Sequence, residues 1–320
     1  MSKFKRANLS RVKTISIASR SSTVSLVNFA VPFRAGQDSF RAFVGGLPDI
    51  LIARDLRALV ADILASRRKR KPVVLMMGAH VVKVGLSPLV IDMLERGIVT
   101  HVAMNSAAAI HDVESALWGK TSEDVAANML DGSFGMARET GEFINGTLAR
   151  AFRKRRESPG YGEALGDRLL AEHARHVHIS ILAACSRLGV PATVHAAIGT
   201  DIVHQQPSMN GAATGELSFR DFLCLCETCK GLVGGGVVLN VGSAVIMPEV
   251  FLKALTVARN LGAKARGFTT AVFDMHVHYR PTMNVRLRPT QDGGRGYQFI
   301  GHHEIMIPLL AAMLASGELR

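Results

Sequence analysis

From residue 50 onward the chain keeps one rhythm: a short apolar run, a few small residues, then a stretch with helical spacing. Val73-Val74-Leu75-Met76-Met77 empties into Gly78-Ala79-His80. Val99 to Met104 empties into Asn105-Ser106-Ala107-Ala108-Ala109-Ile110-His111-Asp112-Val113-Glu114. Small residues followed by sudden polar ones at the end of a buried run predict ligand-binding loops at the carboxyl edge of a parallel sheet. In an open α/β sheet the ligand sits in the crevice outside the strand ends. Gly, Ala and Ser let the backbone come close to it.

The spacing predicts helix Ile50–Ser66, strand Val73–Met77, helix Pro88–Arg96, strand Val99–Met104 and helix Ser122–Leu130, the last opened by Ser122 as N-cap. A helical tract follows over Glu139–Ala151, is broken by Arg153–Gly166 and resumes over Asp167–Leu188. Then come strand Ala192–Ala197, helix Phe219–Cys229, strand Val237–Val241, helix Pro248–Leu261, strand Gly267–Phe273 and a last helix near Glu304–Leu314. Strands separated by helices of this length predict a doubly wound, mainly parallel sheet with helices on both faces. The expected organisation is a basic flexible tail over residues 1–22 and a single α/β domain over 23–320, with Thr23–Phe33 already an extended part of the body.

The net charge of +12 suggests nucleic acid until it is located. Residues 1–37 carry Lys3, Lys5, Arg6, Arg11, Lys13, Arg20 and Arg34 and no acid; beyond them 31 basic residues face 26 acidic ones, a net +5. Arg67-Arg68-Lys69-Arg70-Lys71 ends a helix, where cations suit the dipole. Neither cluster interleaves with aromatic residues, which make up 6% of the chain, so a nucleic-acid partner is not expected. The acid-free start also has a transit-peptide composition; a basic tail is the simpler reading. No apolar run approaches the length a bilayer span requires, so no membrane is expected. Cys224, Cys226 and Cys229 lack a second cluster and read as helix residues of a cytoplasmic protein.

The later strand ends repeat the chemistry of the first two. Val237–Val241 runs into Gly242-Ser243-Ala244 with Glu249 in the next helix; Gly267–Phe273 passes through Thr270-Ala271 to Asp274; Ala192–Ala197 runs into Gly199-Thr200-Asp201. Several small-residue loops, each backed by a helix start, suit a phosphate-bearing nucleotide such as NAD. The strict Gly-x-Gly-x-x-Gly fingerprint of a Rossmann loop is absent.

On these residues the chain resembles the deoxyhypusine synthase superfamily, whose members bind NAD in a doubly wound, Rossmann-like fold and work as homotetramers. Met77 to Gly85 with Pro88-Leu89-Val90-Ile91 is similar to its first cofactor loop and helix, which puts Gly78, Ala79 and His80 at the cofactor. Asn105, Ser106, Ala107 and Asp112 fall on its second, where a carboxylate binds the adenosine ribose; the resemblance implies that role for Asp112. Asp201, Gly242, Ser243, Thr270 and Ala271 match further cofactor positions, and Ile307-Pro308-Leu309-Leu310 resembles the closing helix. The family's Trp-Gly-Lys, whose lysine forms a Schiff base with the substrate, has no counterpart: the span reads Tyr279 to Arg288, and no lysine follows Lys264. Arginine does not lose its proton and cannot substitute. Pro248-Glu249 replaces the family's His pair.

Asn105-x-x-Ala108-x-x-His111-Asp112-x-Glu114 is also similar to a segment of the archaeal-type ornithine cyclodeaminases. Both relatives imply hydride removal from a carbon bearing an amine, giving an imine, with transfer of the alkylamine group as a further step. The expected substrate is a polyamine or a basic amino acid. His111 is the candidate base because histidine titrates near working pH. Glu114, Glu249 and Asp274 are candidates to hold the cation, and Lys83 to pair with phosphates or act as nucleophile. Two alternatives stay open: an NAD-binding sensor or scaffold without catalysis, and a metal-dependent hydrolase built on Asp274-x-His276-x-His278 with His302-His303.

Overall fold

The computed structural model describes residues 3–154 and 159–317. They fall into two compact units, which divide between Arg54 and Asp55. In the first unit, single helical turns at Leu9–Arg11, Ile17–Ser19 and Leu26–Asn28 precede a short helix, Phe40–Gly46. Its N-cap Ser39 accepts from the Ala42 N–H at 3.2 Å, and the Val31 N–H donates to the Gly46 carbonyl at 2.9 Å. Thr23–Phe33 forms no strand.

The second unit is built on one sheet of parallel strands, in the order β3-β2-β1-β4-β5-β6. They are β1 Val73–Met77, β2 His101–Asn105, β3 Ala192–His195, β4 Val237–Val241, β5 Thr269–Asp274 and β6 Arg295–Ile300. All residues of β1, β4 and β5 are buried, because helices cover both faces of a parallel sheet; β1 accordingly reads as an unbroken apolar run, while β4 carries Asn240 and β5 carries Thr269, Thr270 and Asp274 inside. β6 is a finding beyond the expected strands. Its Arg-Gly-Tyr-Gln-Phe-Ile sequence lacks that run because it lies at the sheet edge, half buried, with only β5 beside it.

The helices are α1 Leu51–Arg68, α2 Ser87–Glu95, α3 Ser106–Trp118, α4 Arg138–Arg153, α5 Tyr161–Ala171, α6 Ile181–Leu188, α7 Gly211–Lys230, α8 Ile246–Asn260 and α9 His303–Gly317, with short turns between them. On one face Val74, Met76, Val238 and Val272 pack against Leu225, Cys226 and Cys229 of α7 and Met247, Phe251 and Leu255 of α8. The cysteines are free, and burial raises the thiol pKa of Cys226 and Cys229.

Several boundaries differ from expectation for physical reasons. The tract expected as one helix over Asp167–Leu188 is two, α5 ending at Ala171 and α6 starting at Ile181 behind its cap Ser180, and the helix expected over Phe219–Cys229 starts at Gly211, where Asn210 caps it. Residues 106–114 are not a loop: Asn105 caps them, accepting from the Ala108 N–H at 3.0 Å, and an alanine-rich run then carries α3 to Gly119, whose φ of +67° ends it. The helix expected from Ser122 starts instead at Val125 with Asp124 as cap, since Ser122 sits at φ +69°. The expected break at Arg153–Gly166 ends early, at Tyr161; residues 155–158 lie outside the described ones. Among the described residues, no helix is long and apolar enough to cross a membrane.

Candidate active site

Strand order reverses between β1 and β4, where the crevice of a doubly wound sheet is expected. Here that place is closed by the protein itself. The Gly78 N–H donates to the Val241 carbonyl at 3.0 Å, and a Cβ on Gly78 would stand 2.2 Å from the Gly242 carbonyl oxygen. Gly242, at φ +64°, lies under the His303 ring, and the His80 ring is 5.5 Å from that of His303. The small residues let two strand ends and a histidine pack together.

The open space lies one strand over. A cavity of about 670 Å³ is bounded by α3, by the segment 120–137, by the start of α4 and by residues 200–202 after β3. α3 presents one face to it: Ala107, Ile110, His111, Glu114 and Trp118. Offsets of three, four and seven residues bring side chains to one side of a helix. Lys83, from the turn after β1, lines the same space.

Inside the cavity three side chains form an ordered series. Thr121 donates its hydroxyl to Glu114 Oε2 at 2.5 Å, and Thr140 donates to Oε1 at 3.0 Å. His111 Nδ1 lies 2.6 Å from Thr121 Oγ1. The threonine has a single hydroxyl proton, already given to the carboxylate, so Nδ1 carries the imidazole proton and donates it. Nε2 then keeps its lone pair. Burial, with the Lys83 charge adding to it, pushes the His111 pKa down to about 4, so the ring is neutral near pH 7.

Ser106 donates its hydroxyl to Asp201, which also lines the cavity. His204 Nδ1 accepts from the Gly199 N–H at 3.2 Å and the Asp201 N–H at 3.3 Å, which leaves its proton on Nε2, buried without a partner. Burial raises the Asp201 pKa against the opposing pull of Ser106 and His204.

The cavity thus gathers Lys83, Ala107, His111, Glu114 and Asp201 from the expected set, with Ser106 behind Asp201. Other members stand elsewhere. Asp112 is fully buried and accepts from Ser180 Oγ (2.6 Å), the Ile181 N–H (2.7 Å) and the Leu182 N–H (3.1 Å). It caps the start of α6 and is not available to a ribose; burial lifts its pKa to about 6 against those three donors. Asn105 spends its side-chain oxygen on the α3 cap. Thr270 and Ala271 are fully buried near the start of β5, away from its carboxyl end. Ser243 accepts from the Met247 N–H at 3.2 Å as part of the α8 start.

Glu249 is ion-paired with Lys253 and with Arg280 (3.2 Å) and accepts from Asn284 Nδ2 at 2.9 Å, so it offers no free carboxylate to a cation. Asp274 accepts from the His276 N–H at 3.3 Å and lies 3.7 Å from His278 Nε2. Ala79 and His80 open the short turn before Lys83 and do not line the cavity. Among the described residues, no three His, Cys, Asp or Glu side chains gather as metal ligands.

Sequence reasoning missed Thr121, Thr140 and Trp118. Only the helical offset of Trp118 from His111 carried a signal, hidden while 106–114 read as a loop. At one end α3 opens at Ala107 beside Lys83, where the helix dipole and the lysine favour an anion, although the Ala108 N–H is already given to Asn105 Oδ1.

No family model matches the chain, and no curated protein does. Solved structures do. A conserved LOR/SDH protein from Methanococcus maripaludis matches at TM-score 0.52 and 15% identity over 83% of this chain and 70% of the other. AgrE, in a ternary complex with ornithine and NAD+, matches at 0.53 and 12% over 82% of this chain and 33% of AgrE. A deoxyhypusine synthase-designated protein from Entamoeba histolytica matches at 0.51 and 10% over 88% and 94%. This chain therefore spans about a third of AgrE and most of the Entamoeba protein. At these identities the likeness shows a shared fold, the doubly wound α/β fold that the residue resemblance implied.

Proposed function

We propose that this chain is an NAD-using enzyme that converts an amine-bearing substrate to its imine, with His111 as the base. The reading is carried by the series His111, Thr121 and Glu114 inside the main cavity. Lys83 and the α3 start at Ala107 would hold the cofactor diphosphate, and NAD, when bound, supplies the hydride acceptor. His111 Nε2 receives the substrate proton. Glu114, reached through Thr121, offsets part of the cost that burial and the Lys83 charge place on the resulting imidazolium, as a carboxylate steadies a catalytic histidine in hydrolases. Thr140 holds the other carboxylate oxygen, so the series keeps its geometry as charge moves. AgrE, of the same fold, binds ornithine and NAD+, which supports an amine and this cofactor.

The four free cysteines suit the cytoplasm, and a homotetramer is the assembly the resemblance favours. Calorimetric titration with NAD, then incubation with NAD and ornithine, putrescine, spermidine or agmatine followed by mass spectrometry, tests the reading. NAD binding, together with a product that His111→Ala abolishes, is the expected result. Absence of binding at millimolar NAD, with no product from any amine, overturns it.

A further inference from the structure

At the amino edge of the sheet, opposite the strand ends that run toward the main cavity, lies a second and smaller cavity of about 230 Å³. Its walls are the end of α1, with Asp62 and Lys69, and the turns that lead into β4, β5 and β6, with Gly234-Gly235, Gly267 and Gly293-Gly294. The turns are tied to one another. The Gly234 N–H donates to the Arg266 carbonyl at 3.0 Å, and the Arg295 N–H to the Phe268 carbonyl at 3.2 Å. The volume is below the roughly 300 Å³ at which pockets for drug-sized ligands begin, so the occupant is small or enters by one end.

The lining offers donors that the protein itself leaves unused. Asp62, its only carboxylate, is taken: Oδ2 accepts from Thr269 Oγ1 at 2.9 Å and Oδ1 is ion-paired with Arg295. Lys69 has no carboxylate partner among the described residues. Its ammonium lies over the Gly235 turn, where an added Cβ would stand 3.7 Å from Nζ. The N–H groups of Gly235, Gly267 and Gly293 likewise have no acceptor among the described residues. The carbonyls that end α1 do not oppose an anion, since those of Ala65, Ser66 and Arg67 already accept from the N–H groups of Lys69, Lys71 and Arg70. Arg68 and Arg70 flank Lys69 in the chain and add positive charge.

Backbone N–H groups combined with a lysine are a donor set that holds phosphoryl oxygens. Phe268 lines the cavity but is only 1% exposed, so it gives a nucleobase no face to stack on, which disfavours a nucleic-acid strand. We propose that this cavity binds the phosphoryl group of a small phosphorylated molecule, held by Lys69 and the N–H groups of Gly235, Gly267 and Gly293. The site is separate from the cavity of His111 and stands whether or not the amine reading does.

The test titrates pyrophosphate calorimetrically into the full chain at low ionic strength, where screening is least, and follows hydrogen exchange by mass spectrometry. Binding is expected, with slower exchange over residues 232–236, 266–270 and 291–295. Lys69→Met should weaken it at least about tenfold, the worth of one hydrogen bond from a charged group. Arg68→Met makes the same charge change one residue away, outside the lining, and should alter affinity by less than about twofold. Both side chains are exposed, so both variants should keep the fold. Equal weakening by the two variants reduces the binding to diffuse positive charge and overturns the proposal. Protection over residues 106–123 instead of the three turns also overturns it, as does absence of binding at millimolar pyrophosphate. A single-stranded oligonucleotide that binds more tightly than pyrophosphate, and is weakened by Lys69→Met, overturns the assignment to a small molecule.

Discussion

The junction of β1 with β4 and the junction of β2 with α3 carry the same sequence signature, an apolar strand running into small residues and then polar ones, yet only the second opens onto a cavity. At the first, Gly78 packs on the Gly242 carbonyl and His303 covers the gap. At the second, the small residues begin a helix whose polar face, with His111 and Glu114, looks into free space. Smallness at a strand end has two uses, to admit a ligand or to let backbone meet backbone. The neighbouring strand decides which.

Substitutions can break this comparison. His111→Ala should lower turnover by about a hundredfold to ten-thousandfold, the range for loss of a general base, with NAD affinity little changed. His80→Ala, at the closed junction, should leave turnover within about threefold. Equal losses in steady-state kinetics would erase the difference between the two places.

Asp112→Ala should cost about 3 kcal/mol in urea unfolding, because it strands the hydroxyl and two N–H donors at the α6 start in the interior. Unchanged stability combined with lost NAD affinity would restore Asp112 as a ligand residue.

The pH dependence sharpens the picture. Burial lowers the pKa of His101 to about 4 and that of His195 to about 3, and His111 is lowered to about 4. Between pH 6.5 and about 4 the unfolded chain binds protons that these buried rings refuse, so the three histidines lower stability as pH drops, opposed by the raised carboxyl pKa of buried Asp112 and Asp221. For fully buried His101 the loss is roughly 3 kcal/mol at pH 4. Denaturation midpoints at pH 7, 5.5 and 4.5 check it. Lys83→Met removes a charge that depresses His111, and the acid limb of the rate profile should move to higher pH.

Thr121→Val should reduce turnover about tenfold to a hundredfold while NAD still binds, since His111 loses the acceptor that holds its tautomer. Glu249→Gln is the smallest change: an exposed ion pair contributes under about 1 kcal/mol, and thermal melts with amine titration should show little movement.

Much of the body was legible because buried parallel strands need unbroken apolar runs. Val73–Met77 and Val237–Val241 stand in the structure at the residues the runs predicted. β6 was not legible, since an edge strand can be half polar. In the site, His111 and Glu114 were visible as polar groups after a strand. Thr121 was not: it is an ordinary residue in a connecting segment until the chain turns at Gly119 and brings it to both partners. Asp112 was misplaced for a related reason. Its neighbours on α3 face the cavity, but its own direction on the helix points into the core, where α6 begins.

By itself the sequence determined a parallel, doubly wound sheet, because strand burial and helix amphipathicity are local patterns that periodicity records. It also determined which polar residues stand near strand ends. Only the tertiary structure decided which of those ends is open, which carboxylates are already taken by N–H donors or cations, and that a threonine joins His111 to Glu114. Those properties depend on atoms brought together from distant parts of the chain, and no local pattern encodes their distances.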